Sequence, residues 1–596
     1  MRGLFPSAIT HFRLLQVASV AAILTLFASV QLWAQTNGEI TAATKAYESG
    51  IAAARASDLA KAQIELEKAV KLNPGNADMQ FALGQVLLQR ADYDGATTHL
   101  QTALRLKPEL PSGHFLLGEA LAAKGSLDEA IVQLREACKL APREPEPHRA
   151  LARTLSAQHK TPEAIQEMKE ALALAPRSAE MHDEMGSLMA QSGQNADAEQ
   201  QFETALQIDP EYQSARFHLG VVRLNNGDVA GAQKDLLKAT ELNPKDGRAF
   251  SYLGDAFQAA GDKDAALRAY EQAAALLPDS AIAQTKLGLA LQRTTDVDGA
   301  AAAFRKAIAL TPDDADAHNN LGLVLMQRGE GDAAIREFQE AIKLRPEDAG
   351  FRGNLGIAYL QLSNFDAAEE HLRQALKMAP DNASFHYDLA LTLKLKDNLP
   401  AAIAEMRKAI ELDPKLVDTY YTLGVTLWQQ GEFPAAVAQL RRAVELKPDY
   451  AEAYYTMGSV LKQMNQLPEA AQALREAIRL QPTFAGAHTT LAAVLRQMGD
   501  TADAESERQL GDSLARQKIG IQGATFATNS GKRMLNAGDL DGAISQFREA
   551  IKLSSSYAPA QYELAVALAR KGDKAGAAQA FQKAYELDPK LKPNPE

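Results

Sequence analysis

Residues 417–450 read VDTYYTLGVTLWQQGEFPAAVAQLRRAVELKPDY, and the order of small, apolar and turn-forming residues in them decides the fold. Gly431 breaks the chain between two helical halves, and Pro448 stops the second. Gly424 in the first half and Ala436 in the second are small where helices must approach closely. Leu423 and Leu440 fill the space around them.

The pattern repeats outward in both directions. Prolines stand at 74, 108, 142, 176, 210, 244, 278, 312, 346, 380, 414, 448 and 482, and every interval is 34 residues. With each unit numbered so that its proline is position 32, the first unit starts at Ala43. Position 8 is Gly in twelve units and Ala152, Ala390, Ala492 and Ala565 in the other four, while position 20 is Ala throughout. A fixed period of this length marks a stack of identical supersecondary units.

Period and small-residue positions together resemble the tetratricopeptide-repeat (TPR) family from Ala43 to Leu591, apart from one short interruption. The resemblance implies an all-α, right-handed superhelical solenoid of about sixteen helix-turn-helix units, whose first helices line a concave groove. Position 4, commonly Trp in the family, is never Trp here.

One unit is irregular. The unit starting at Ala485 has Arg508 where position 24 should be apolar, Gly511 at position 27 and Arg516 in place of proline. Residues 519–523 are then extra, and the register resumes at Ala524. The expected organisation is therefore fourteen repeats over 43–518, an insertion at 519–523 and two repeats over 524–591. The stretch 501–523 reads as an extended second helix with a seam that opens more easily than its neighbours, the alternative being a tolerated insertion without consequence.

Composition narrows the function. The 63 basic and 75 acidic residues give a net charge of −12, and no Lys/Arg-rich tract provides the footprint that nucleic-acid binding needs. Arg2, His11 and Arg13 precede an apolar run from Leu14 to Val30, with no acidic residue before Glu39. That is a secretory pattern, with a cut expected after Ala34. The alternative is an uncleaved anchor, and in both cases the body is exported. A periplasmic location follows, or an inner-membrane anchor with the body outside the cytoplasm. The single cysteine, Cys138, rules out internal disulfides.

No catalytic chemistry is expected. Gly531-Lys532 lacks the remaining elements of a phosphate-binding loop, and His-Glu-x-x-His, Cys-x-x-Cys and Gly-x-Ser-x-Gly do not occur. Asp-x-Asp-Gly at 92–95, 296–299 and 539–542 has its glycine too early for a calcium loop and reads as helix N-caps. His114, His148, His182, His318, His386 and His488 all fall at position 4, one repeat apart, and are read as packing residues rather than metal ligands. Cys138, at position 28, reads as a small core hydrophobe. Seven residues follow Pro589, and no attached catalytic domain, cofactor or metal is expected.

The resemblance places positions 2, 5, 9, 12 and 13 in the groove. The 5, 9, 12 spacing is one helix face. There the chain carries Tyr387, Lys394, Tyr421, Trp428, Gln429, Tyr455, Lys462, Gln463 and Arg496, the combination of aromatic, cationic and amide groups that binds peptides. Phe81 and Phe115 form a second candidate patch. The Lys-and-Asn clamp for chaperone tails is not matched, since position 5 is never Lys. The expected role is a non-enzymatic protein–protein interaction scaffold of the cell envelope that takes peptide segments of other proteins. The alternative is an accessory subunit of a glycan or lipoprotein export or modification complex. Self-association through the terminal repeats is a further option, and membrane contact is confined to a retained N-terminal segment. Export has a direct check: N-terminal sequencing of the native protein should start near Gln35, and an intact Met1 in the cytosol would contradict it.

Overall fold

A computed structural model describes residues 38–591, which form 31 helices and no strand. The expected leader, residues 1–34, lies outside them. Among the described residues no helix is long and apolar enough to cross a membrane. The chain divides after Pro312 into two compact units, and the helices of eight hairpins fall in each. A hairpin pairs a first helix such as Ala77–Gln89 with a second such as Tyr93–Leu106.

The turn inside the hairpin has one geometry throughout. Position 15 has a positive φ in every unit: nine glycines and, in the remaining seven, Ser57, Ala91, His159, Thr295, Ser363, Asp397 and Asn465. The left-handed conformation costs a non-glycine residue about 1–2 kcal/mol, so the turn itself, not the glycine, is the shared element. The next residue caps the second helix. Asp92, Asp296 and Asp539 each accept the N–H of the glycine three residues on, at 2.9–3.0 Å, which accounts for the Asp-x-Asp-Gly runs.

Closure of the hairpin rests on positions 8 and 24. In all twelve units with glycine at position 8, the nearest obstacle to a β-carbon is the position-24 side chain, at 2.6 Å for Gly322 against Phe338 and 2.7 Å for Gly84 against Leu100. Phe202, Tyr270, Phe304, Phe338 and Phe547 at position 24 are fully buried as a result. Two of the four alanine units show a compensation. Ala152 and Ala390 are matched by Met168 and Met406, the two methionines found at position 24, and both are fully buried. An unbranched thioether yields to an added methyl group more readily than a branched chain does. Ala492 stands opposite Arg508, which leaves the core, and Ala565 opposite Phe581, whose ring is only half-buried.

The irregular unit differs from the expected seam in form. Residues 519–523 make no separate connection. They lie inside one helix, Thr501–Asn536, which is at once the second helix of repeat 14 and the first of repeat 15. Gly511 is a point of close approach, since a β-carbon there would stand 2.6 Å from Thr489, and Gly520 likewise meets the Leu553 carbonyl at 2.6 Å. Arg508 is outside the core, paired on the helix surface with Glu505 at 2.6 Å and Asp512 at 2.7 Å. No residue between Gly511 and Ala524 is buried, so the middle of the helix is thinly packed but unbroken.

The 8–24 contact is open to mutation. Gly322→Ala should destabilise the fold by about 1–3 kcal/mol through overpacking. Adding Phe338→Met, which copies the Ala390–Met406 pair, should recover most of it. Thermal unfolding followed by circular dichroism checks both, and a neutral single variant would refute the role given to the contact.

Candidate partner-binding face

Two side-chain registers organise the exposed surfaces. Within a repeat, positions 4 and 23 are 19 residues apart and meet across the hairpin. His114 bonds Gln133 at 2.8 Å, His182 bonds Gln201 at 2.7 Å, His386 bonds Glu405 at 2.6 Å, and His488 bonds Glu507 at 2.5 Å. In these four, Nε2 also reaches the carbonyl of the position-32 proline of the preceding repeat, at 2.8–3.3 Å. These four histidines therefore do more than pack. Each ties its own second helix to the turn before it.

Between repeats, neighbours pair 35 residues apart, position 5 with position 6 of the next first helix. In the N-terminal unit Arg149 donates to both oxygens of Glu184 at 3.0 and 2.7 Å, Asp183 meets His218 at 2.7 Å, and Lys286 donates to Ser251 at 3.1 Å. In the C-terminal unit Asn354 donates to Asn319 at 2.8 Å, and the Tyr387 and Thr422 hydroxyls share a bond of 3.2 Å. Position 12 pairs with position 13 in the same way: Trp428 Nε1 donates to Gln463 Oε1 at 2.8 Å.

The aromatic strip of repeats 11–13 is thus partly self-satisfied. Tyr387, Tyr421, Trp428 and Tyr455 are all half-buried, and Tyr421, Trp428 and Tyr455 pack against the core beneath. Sequence reasoning missed two members. Tyr450 and Phe484, at position 34, lie 5.0 Å from the Tyr421 ring and 4.7 Å from the Tyr455 ring. Lys394 and Lys462 are half-buried and Gln429 and Arg496 exposed, and none of the three cations has an ion pair among the described residues. The second candidate patch needs correction. Phe81 is 8% exposed and belongs to the core, because its helix face is covered by the neighbouring repeats, and Phe115 is half-buried against the same core.

Asp388 is the residue on this face that sequence gave no reason to single out. It holds position 6, and its expected partner at position 5 of the preceding repeat is Gly353, which has no side chain. Its carboxylate has no hydrogen bond or ion pair among the described residues, and burial alone pushes its pKa up to about 6. Burial also pulls Lys394, on the same helix, below its usual value. In the N-terminal unit Glu119 is similar: burial, only partly opposed by Arg153, pushes it up to about 7, and its Oε2 has no hydrogen-bond partner among the described residues. Unpaired, desolvated charges are expensive in a free protein and are commonly found where a ligand completes them.

Profiles of the tetratricopeptide repeat match residues 47–111, 82–145, 149–212, 253–315, 285–349, 354–416 and 529–591, with further matches at 189–254, 426–465 and 451–484. Similar solved structures include the APC/C hetero-tetramer Cut9-Hcn1, at 15% identity over 81% of this chain and 99% of that one, with a TM-score of 0.37. MamA is 26% identical over 28% of this chain and 96% of that one, TM-score 0.27. The pilF protein of Pseudomonas aeruginosa is 23% identical over 34% and 92%, TM-score 0.32. No curated protein matches the sequence significantly.

The state of Asp388 has a measurable signature. The folded protein holds this proton up to about pH 6, whereas an ordinary aspartate releases it near 3.8, so the folded state binds more protons between the two and loses stability as pH rises through that window. Asp388→Asn should therefore raise stability at pH 7.5, by about 1–2 kcal/mol, and the gain should shrink towards pH 4. Melting curves across pH check this, and a gain independent of pH would refute it.

Proposed function

The chain belongs to the tetratricopeptide-repeat family, whose members are generally protein-interaction scaffolds, and from that premise we propose that it is a non-catalytic scaffold binding extended segments of other proteins on the first-helix face of repeats 11–14. The observation that carries this reading is the half-buried aromatic strip flanked by charges with no partner of their own. Tyr421, Trp428 and Tyr455 supply the apolar contact, with polar tips fixed in place by neighbours such as Gln463. Lys394, Lys462 and Arg496 suit acidic groups on the bound segment, while Asp388 accepts one donor from it. Rigid aromatic groups surrounded by satisfied polar ones are the usual anatomy of a binding hot spot.

We place the scaffold in the cell envelope, with the body outside the cytoplasm. This rests on the basic start, apolar run and small exit residue of residues 1–34, whether that segment is removed or kept as an anchor. Residues of the envelope's glycan or lipoprotein machinery among captured partners would specify an accessory role in that machinery.

Affinity capture from the native envelope tests the site. Replacing Trp428 and Tyr421 together by Ala should weaken partner capture more than about tenfold, with the helical circular dichroism retained. With Trp33 removed, Trp428 is the remaining tryptophan of the two in the chain, so its emission should shift on saturation with partner. Normal capture by the double variant, with unchanged emission, would move the binding site elsewhere.

A further inference from the structure

Repeat 4 departs from the rule that position-4 histidines follow. His148 bonds Glu167 Oε2 through Nδ1 at 2.7 Å, as its counterparts bond position 23. Among the described residues, however, its Nε2 makes no bond to the preceding proline carbonyl, unlike His114, His182, His386 and His488. Position 28 of the preceding repeat is also unusual. Where other repeats place Leu104, Leu206, Ile308 or Val444, this one places the chain's single cysteine, Cys138. As a result a thiol sulfur, an imidazole nitrogen and a carboxylate oxygen lie within 4.8 Å of one another.

We propose that Cys138, His148 and Glu167 bind one zinc-like divalent ion between repeats 3 and 4. The three come from three helices, Leu127–Leu140, Pro145–Ala157 and Thr161–Leu174, so the ion would pin two adjacent repeats together. Sulfur, nitrogen and oxygen donors in one set suit a borderline ion such as Zn2+, with a fourth position left to water. Ligand atoms around such an ion stand roughly 3.2–3.8 Å apart, so the widest separation in the cluster must close by up to about 1 Å, and the ion takes the place of the proton between His148 and Glu167, whose 2.7 Å hydrogen bond opens. The histidine and glutamate side chains remain 17% and 26% exposed, which leaves the ion a path from solvent.

Binding exchanges a proton for the metal. Burial, and then the Glu167 carboxylate, push the Cys138 thiol up to about 12, so it is protonated in the free protein. The ion forms the metal–sulfur bond as the S–H bond breaks, and the proton leaves to solvent. No electron is transferred. Sequence reasoning dismissed a histidine ladder because successive position-4 residues do not meet. The site arises instead from positions 28, 4 and 23, which only the packed hairpins bring together.

Cobalt is a direct probe, because a thiolate bound to Co2+ absorbs strongly in the near ultraviolet. The chain has one cysteine, so any such band reports Cys138. Titrating Co2+ into the full chain at pH 8 should produce the band, saturating at one ion per chain and abolished by equimolar Zn2+. Cys138→Val, which copies position 28 of repeat 12, should fold normally and show no band. His148→Gln and Glu167→Gln should each weaken binding by tenfold or more. No near-ultraviolet band in the wild-type chain at tenfold excess Co2+ would overturn the proposal. So would saturation at one ion per two chains, which would mean that sulfurs of separate molecules share the ion.

Discussion

The contact between position 8 and position 24 is the constraint on which the rest depends. A hairpin closes tightest where the first helix offers no side chain to the largest one inserted by the second. Twelve glycines meet that demand outright, two alanines meet it with methionine opposite, and Ala492 and Ala565 leave their position-24 partners, Arg508 and Phe581, less deeply placed. Once the two helices stand at that distance, Ala at position 20 is buried against the same crossing. The left-handed turn at position 15 follows, because a short connection between closely packed helices has few conformations to choose from. Seven non-glycine residues accept it at an energetic disadvantage, which shows that helix packing is the stronger term.

The same closure sets the pattern of the first-helix face. Within each compact unit, stacked hairpins place position 5 beside position 6 of the next repeat, and position 12 beside position 13. Side chains on the face therefore have built-in neighbours, and several pairs satisfy each other, as Arg149 does with Glu184 and Trp428 with Gln463. A residue whose neighbour is absent stands out against that pattern. Gly353 removes the neighbour of Asp388, and this single small residue turns an otherwise self-contained ladder into a place with an unmet acceptor.

What could be read in the sequence was whatever repeats. The period, the small residues and the caps are local or strictly periodic, and each was legible from spacing alone. Partner identity across the ladder was not, because 19- and 35-residue relationships have meaning only once the packing offset is known. Phe81 looked like its aromatic counterparts at position 5 yet is buried, and Cys138 is the buried core residue it was read as, but its meeting with positions 4 and 23 on other helices was not legible. Gly511 read as a weak point in a helix. It is a place where that helix approaches its neighbour closely.

The helix from Thr501 to Asn536 changes how the array would respond to a mechanical load. Elsewhere each hairpin meets the next through a turn, so a pulling force can peel units away singly, each step rupturing one interface of a nearest-neighbour chain. Repeats 14 and 15 have no turn between them. Their shared helix packs against Ala485–Met498 on one side and Leu540–Leu553 on the other, so tension reaching either hairpin is carried straight into its neighbour. The two would yield as one element, and the C-terminal end of the chain would behave as a stiffer handle than its sixteen-unit regularity suggests.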